Sequence, residues 1–192
     1  MKIFISGGCK NGKSYYAQRL AKAQHLKNMQ EPGSLYYVAT MKPVDTEDDE
    51  RILKHRRERE GWGFTTIEQP VDIEKMLGIS GHSHSFLLDS LTALLANEMF
   101  LSNGKINEQA AKKITGELLQ ITGTIKDIVI VSDYIYSDAL EYDSLTEKYR
   151  KSLAEIDRTA AENSDVVIEA AYANIIVHKG REMFEELYAK IP

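Results

Sequence analysis

Residues 7–14 read G-G-C-K-N-G-K-S, which matches the pattern G-x-x-x-x-G-K-[ST]. Glycine at positions Gly7 and Gly12 permits backbone turns in which successive N–H groups point at phosphate oxygens. The Lys13 ammonium can lie beside the β- and γ-phosphates of a nucleotide, and the Ser14 hydroxyl can coordinate Mg²⁺. We therefore predict a phosphate-binding loop for a nucleoside triphosphate, with these contacts: Gly7, Gly8, Cys9, Lys10, Asn11, Gly12, Lys13 and Ser14.

The sequence on both sides of this loop has the pattern that a phosphate-binding loop needs. Residues Lys2–Ser6 form an apolar run of strand length, and Tyr16, Leu20 and Ala23 after the loop share one helical face. A helix that begins directly after the loop adds its positive N-terminal end to a phosphate site. The alternative is a glycine-rich turn that matches the pattern by chance.

Two carboxylates end predicted strands. Asp89 follows Phe86–Leu88, and Asp133 follows the apolar run Ile128–Val131. In open α/β sheets, ligands bind at the carboxyl ends of the strands, so an acid there can hold Mg²⁺ opposite Ser14. We predict this metal role for Asp89, with a helix N-cap as its alternative, and give Asp133 a weaker claim to the same role.

The segment from Asp45 to Arg59 is rich in charge, with acids near its start and bases near its end. This polarity suits a helix dipole, and a spacing of four places Arg51, His55 and Arg59 on one face. A neutral imidazole can attack phosphorus, and flanking guanidinium groups can stabilise the transferred phosphate. The alternative is a solvated charged helix that carries an incidental histidine.

The elements that must position these residues alternate between strand and helix patterns. Predicted strands are 35–39, 64–67, 85–88, 128–131 and 166–168, and predicted helices are 45–60, 91–101, 106–121, 145–160 and 181–191. We expect Met183, Phe184, Leu187 and Ile191 to be buried in the last helix. This alternation predicts a three-layer α/β fold with a mostly parallel sheet, formed by a single nucleotide-binding catalytic domain over residues 1–192.

Composition excludes several other classes of function. The chain has 192 residues, 24 Lys plus Arg and 29 Asp plus Glu, so its formal charge of −5 argues against nucleic acid as the main partner. No apolar run approaches the ~18 residues of a membrane span, and the N-terminal run is too short for a signal peptide. The single cysteine, Cys9, cannot form an internal disulfide, which fits a cytoplasmic location. Within the loop it is either a small filler residue or a reactive thiol.

Several spaced motifs resemble one known family, the bifunctional adenosylcobinamide kinase/adenosylcobinamide-phosphate guanylyltransferases of cobalamin biosynthesis. The resemblance begins with the G-G-x-x-x-G-K-S loop and continues with Y-[IV]-A-T at residues 37–40. The pattern D-x-E-x-x-x-R-I-x-x-H is met over residues 45–55, T-x-E at 66–68 and D-x-L-T-x-x-x-x-N at 89–97. The C-terminal half diverges, because Asp133-Tyr134-Ile135-Tyr136 stands where the family shows N-E-V-G.

This resemblance implies a RecA-like P-loop fold, a homotrimer, and two reactions that use ATP and GTP with Mg²⁺. The first phosphorylates the aminopropanol hydroxyl of adenosylcobinamide, a corrinoid. The second transfers GMP to that phosphate through a guanylylated histidine, His55 by position. The implied nucleotide contacts beyond the loop are Thr40, Met41, Lys42, Arg56, Arg57, Glu58, Arg59, Glu68 and Asp89.

Two other readings of the residues stay open beside this resemblance. The chain could be a P-loop kinase of another small molecule, with His55 an incidental surface residue. It could also be a nucleotide-dependent switch or assembly protein, in which nucleotide binding rather than turnover matters.

Overall fold

The computed structural model describes residues 1–27, 33–43, 46, 50, 52–53, 56–57, 59–79, 83–136 and 138–189. Its strands are β1 (Lys2–Gly7), β2 (Leu35–Ala39), β3 (Phe64–Glu68), β4 (Ser85–Asp89), β5 (Asp127–Asp133), β6 (Val166–Ala171) and β7 (Asn174–Lys179). They form one sheet in the order β3-β2-β4-β5-β1-β6-β7. All neighbours pair in parallel except β6 and β7, which form an antiparallel hairpin.

Helices cover both faces of this sheet. They are α1 (Lys13–Lys27), α2 (Leu91–Met99), α3 (Ala110–Thr124), α4 (Ser144–Glu162) and α5 (Arg181–Tyr188), with a 3-10 helix at Ile73–Gly78. The described residues between 46 and 57 also have helical backbone. Side chains from α2, α3 and α4 pack on one face, and side chains from α1 and α5 pack on the other. This is the predicted three-layer α/β architecture.

The central strands are apolar on both faces because each face is covered. Phe4, Ile128 and Ile130 point into the core beneath α2, α3 and α4, whereas Ile5 and Val129 point into the core beneath α1. All five side chains are almost completely buried. Such two-sided burial is typical of parallel sheets.

Capping side chains set where two of the helices begin. The Ser90 hydroxyl accepts a hydrogen bond from the N–H of Ala93 at the start of α2. The Asp143 carboxylate accepts from the N–H groups of Leu145 and Thr146 at the start of α4. Each cap satisfies N–H groups that have no partner within the helix.

The structure corrects several boundaries that the sequence suggested. The helix predicted from residue 106 begins at Ala110, since Ile106 pairs with Phe100 in an isolated antiparallel bridge. The 3-10 helix and β7 were not predicted. In α5, Phe184 and Leu187 are buried as expected, but Met183 is 44% exposed, and Ile191 lies outside the described residues.

Among the described residues, no helix is both long enough and apolar enough to cross a membrane.

Candidate active site

The predicted phosphate-binding loop lies between β1 and α1. Lys10 and Gly12 have positive φ angles of 59° and 85°, conformations that help to turn backbone N–H groups into an anion-binding concavity. Gly7 is required for a different reason, because a Cβ there would lie 2.2 Å from the carbonyl oxygen of Ala170 in β6. Close packing against β6 therefore requires glycine at position 7, whereas the positive φ of the loop favours glycine at position 12.

Lys13 is buried at the start of α1, and its ammonium has two partners. It donates a hydrogen bond to the carbonyl oxygen of Gly8 at 2.8 Å and forms an ion pair with Asp133 Oδ1 at 2.6 Å. Asp133 ends β5, level with Gly7 in the neighbouring strand. The N–H of Asp133 donates to the Thr92 hydroxyl at 2.9 Å, which fixes its backbone against α2.

Asp89 ends β4 and is held by a neighbouring strand. The Tyr37 hydroxyl donates a hydrogen bond to Asp89 Oδ2 at 2.8 Å. Ser90, not Asp89, caps α2, so the alternative reading of Asp89 as the helix cap is wrong. Between β4 and β1 lies β5, and Asp89 pairs in register with Val131, two residues before Asp133. Asp133 therefore lies two residues further along the strand direction than Asp89, at the same carboxyl end of the sheet.

A cavity of about 440 Å³ opens beside Asp89 at the carboxyl ends of β2, β3 and β4. The Arg59 guanidinium lies over the Tyr37 ring, with its carbon 3.5 Å from the ring centroid, and Arg59 is 7% exposed. At the outer wall, Arg56 pairs with Glu68 at 2.6 Å. The described part of the charged segment contributes Ile52 and Leu53 to the lining. This cavity brings together cationic, carboxylate and aromatic groups.

Other predicted nucleotide contacts have contrasting environments. Thr40 is fully buried, and its hydroxyl bonds to the backbone of Ser90. Met41 lines the cavity, whereas Lys42 and Arg57 are exposed. The loop residues Cys9 and Lys10 are also exposed. Arg51, His55 and Glu58 lie outside the described residues, so their predicted roles stay predictions.

A buried polar group that the sequence analysis missed lies beside the end of β5. Asp157 in α4 is 2% exposed and accepts a hydrogen bond from the Tyr136 hydroxyl at 3.0 Å. Burial raises the pKa of Asp157 to about 7, although the hydroxyls of Ser132 and Tyr136 lower it, and the charge of Asp133 adds to the rise. Its spacing is the signal that could have found it, because Asp157 lies four residues after Leu153 and three before Ala160, on the buried face of α4.

A second group of acids lies between the 3-10 helix, α2 and α3. Carboxylate oxygens of Asp72, Glu98 and Glu117 lie within 4.8 Å of one another. Lys113 forms ion pairs with Asp72 and with Glu98, and its ammonium is 3.8 Å from Glu117. Burial raises the pKa of Glu117 to about 7 against the opposing effect of Lys113. The Lys113 ammonium therefore takes the position that a metal ion would occupy among the three carboxylates. These ion pairs link the start of the 3-10 helix to α2 and α3.

Comparison with known proteins agrees with this arrangement. The family model described as cobinamide kinase / cobinamide phosphate guanyltransferase matches residues 3–174. The chain belongs to this family. A curated relative, the bifunctional adenosylcobalamin biosynthesis protein CobP of Pseudomonas aeruginosa, is 26% identical over 172 residues, which cover 87% of this chain and 91% of that protein.

Membership of this family confirms the predicted enzyme class, a kinase and nucleotidyltransferase of cobalamin biosynthesis. The crystal structure of a KaiC-like protein from Pyrococcus horikoshii OT3 is similar in fold, with a TM-score of 0.52 and 12% identity over 94% of this chain and 79% of that one. This likeness supports the predicted α/β fold with a mostly parallel sheet, and it concerns the fold alone.

Proposed function

We propose that this chain phosphorylates the aminopropanol hydroxyl of adenosylcobinamide and then transfers GMP from GTP to that phosphate through His55. The observation that carries the proposal is the cavity beside Asp89, whose lining includes the described residues Ile52, Leu53, Arg56 and Arg59 of the charged segment. Its lining includes residues that flank His55 in the sequence, and its guanidinium groups can bind a triphosphate. The predicted phosphate-binding loop, which contains the buried Lys13, follows β1 at the same carboxyl end of the sheet. In the strand order, β1 is four strands away from the outermost strand β3.

The two steps make different demands on the protein. The kinase step passes a γ-phosphoryl group directly to a hydroxyl, so it needs positioning and charge stabilisation at the loop that contains Lys13. The guanylyl step in our proposal attaches GMP to a protein nitrogen, so it needs a nucleophile with cations around it. Arg59 is suited to this second role, because it is buried and held over Tyr37. Arg51 would share it by spacing.

The two predicted metal ligands, Ser14 and Asp89, are suited to Mg²⁺. Ser14 offers a hydroxyl and Asp89 a carboxylate, and both are hard oxygen donors of the kind that Mg²⁺ selects. The Tyr37 hydroxyl occupies only Oδ2 of Asp89. A bound Mg²⁺ would neutralise charge on the phosphates, while this chain's own groups orient the nucleotide and the acceptor.

A direct assay tests both steps. Purified protein is incubated with adenosylcobinamide, Mg²⁺ and ATP or GTP, and the corrinoid is analysed by mass spectrometry. We expect a phosphorylated product with either nucleotide that the loop accepts, and a GDP-linked product with GTP. Formation of neither product would contradict the proposal and favour a kinase of another small molecule or a nucleotide-dependent switch.

The nucleophile is tested separately with GTP labelled at the α-phosphate. We expect a covalent adduct that is stable to base and labile to acid, as a phosphoramidate should be. His55→Asn should abolish the adduct but spare phosphorylation of the corrinoid. His178→Asn is a matched control, because His178 is exposed on β7 and pairs with Glu169 at 2.9 Å. An adduct that survives in His55→Asn, or that maps to another histidine, would refute the assignment.

We also propose a homotrimer, as the family resemblance implies. The described residues between 46 and 57 include an exposed Leu53, which is 51% accessible in the single chain. Light scattering coupled to gel filtration measures the assembly, and a monomeric mass at micromolar concentration would contradict it.

A further inference from the structure

Asp133 is the carboxylate in contact with the phosphate-binding lysine. Its Oδ1 lies 2.6 Å from the Lys13 ammonium, and its side chain is 32% exposed. Oδ2 makes no hydrogen bond or ion pair to any residue in the part of the chain that the structure describes. Asp133 is therefore anchored on one oxygen and open on the other.

The position of this carboxylate is fixed from two sides. Asp133 is level with Gly7 in the adjacent strand, and its N–H is bonded to the Thr92 hydroxyl at 2.9 Å. The loop lysine of such a site lies beside the β- and γ-phosphates, so a group that touches Lys13 stands next to the γ-phosphate. A second anion beside a triphosphate is unfavourable unless a cation or a hydrogen-bond donor lies between them.

The other described carboxylates near this end of the sheet are not in contact with Lys13. Asp89 accepts a hydrogen bond from Tyr37 and is in register with Val131, two residues before Asp133. Glu68 pairs with Arg56 at the outer wall of the cavity. Asp157 is 2% exposed and lies out of reach of a corrinoid. Asp133 alone among these four combines exposure with contact to the loop lysine.

We propose that Asp133 is the catalytic base of the kinase step and binds the hydroxyl of the acceptor directly. This inference rests on the proposed function, and it concerns this chain in particular, since the family pattern shows asparagine where this chain has Asp133. The acceptor O–H bond breaks as its oxygen bonds to the γ-phosphorus, and the bond from that phosphorus to the β,γ-bridging oxygen breaks. The nucleoside diphosphate leaves with the bridging oxygen, and the proton passes to the Asp133 carboxylate and then to solvent. When a triphosphate is bound, Lys13 is the cation between its γ-phosphate and the Asp133 carboxylate.

The test compares Asp133→Asn and Asp133→Glu with wild type in three measurements: nucleotide binding, phosphorylation of adenosylcobinamide, and formation of the α-phosphate adduct. Asp133→Asn should phosphorylate the corrinoid about 10²- to 10⁴-fold more slowly, the usual contribution of a general base. Its triphosphate affinity should be equal to wild type or tighter, because Lys13 loses a competing anion. Adduct formation should be unchanged, and Asp133→Glu should recover part of the rate.

Glu141→Gln is the matched control, since it removes one negative charge from an exposed position in the connection between β5 and α4. We expect it to behave as wild type in all three measurements. Two results would overturn the inference. One is corrinoid phosphorylation by Asp133→Asn within about threefold of wild type, well short of what a base contributes. The other is a parallel loss of nucleotide binding and of both reactions, which would make Asp133 a support for Lys13 only.

Nucleotide hydrolysis without corrinoid separates this inference from the proposed function. Water then takes the place of the acceptor, and Asp133→Asn should slow hydrolysis at least tenfold. If wild type hydrolyses nucleotide in an Asp133-dependent way but leaves adenosylcobinamide unchanged, the base assignment stands and the corrinoid proposal fails. If hydrolysis does not depend on Asp133, or wild type has neither activity, the base assignment fails.

Discussion

The Thr40 hydroxyl makes two hydrogen bonds to the backbone of Ser90, donating to its carbonyl oxygen and accepting from its N–H, each at 2.7 Å. A third bond joins the N–H of Thr40 to the carbonyl oxygen of Asp89 at 3.1 Å. These contacts connect the end of β2 to the turn between β4 and α2. They hold Asp89 at the rim of the cavity.

Thr40→Val should destabilise the protein, because the valine side chain leaves the buried N–H of Ser90 without this acceptor. We expect a loss of about 1–3 kcal/mol in the free energy of unfolding, measured by urea denaturation. Thr65→Val is the control, since Thr65 is exposed on β3, and its effect should stay within about 0.5 kcal/mol. Equal effects of the two substitutions would show that the contacts with Ser90 contribute little.

Lys13→Ala should abolish triphosphate-dependent activity while the fold persists. The substitution removes the cation expected beside the β- and γ-phosphates, and Asp133 is exposed enough for water to solvate it afterwards. Activity assays and the thermal unfolding midpoint check the two parts. Lys27→Ala at the end of α1 should leave both unchanged. Near-wild-type turnover in Lys13→Ala would mean that the loop does not bind phosphate as proposed.

Asp89→Asn should weaken Mg²⁺-dependent catalysis more than nucleotide binding in EDTA. Asparagine can still accept the Tyr37 hydrogen bond, so the change removes charge and leaves that contact available. Tyr37→Phe is the companion variant, because it removes the hydrogen bond and keeps the ring beneath Arg59. Equal losses with Mg²⁺ and with EDTA in Asp89→Asn would point to a structural role for the carboxylate.

Asp157→Asn should change stability in a pH-dependent way. Burial raises the pKa of Asp157 to about 7 in the folded protein, whereas an unfolded aspartate titrates near about 4. Between these values the folded state keeps a proton that the unfolded state releases, so the free energy of unfolding falls as pH rises through the window and levels off above it. The asparagine variant should gain about 1–3 kcal/mol relative to wild type between pH 4 and pH 8.

Urea denaturation at the two pH values measures this difference, and a pH-independent effect would contradict it. Asp143 supplies a control of opposite sign. Hydrogen bonds from Thr146 lower the pKa of Asp143, so its contribution is present at neutral pH and is lost as pH falls through the folded pKa. Asp143→Asn should therefore lose stability relative to wild type as pH rises.

Apolar periodicity predicted most of the sheet, because buried parallel strands such as Ile128–Val131 are continuous apolar runs. It missed β7 for a physical reason. The hairpin turns at Tyr172 and Ala173, both with positive φ, and neither is a residue that usually announces such a turn. Met183 was assigned to the core because it is apolar and adjacent to Phe184, yet α5 buries a narrower stripe.

The site was predictable in its parts and not in its contacts. The loop motif identified Lys13, and strand ends identified Asp89 and Asp133. Lys13 pairs with Asp133 rather than with Asp89 because β5 lies beside β1, whereas β4 lies one strand further away. Tyr37 reaches Asp89 only because β2 pairs with β4, and no local pattern in the sequence encodes that pairing.

The crowding of Gly7 against Ala170 bears on how this motif should change during evolution. A lineage that lost its nucleotide chemistry would still keep glycine at this position, because a Cβ would collide with the backbone of β6 at 2.2 Å. Lys13 and Asp133 carry no such packing constraint, and each leaves the other without its counter-charge when it is replaced. Loss of Lys13 would therefore distinguish an inactive descendant that the first glycine alone would disguise.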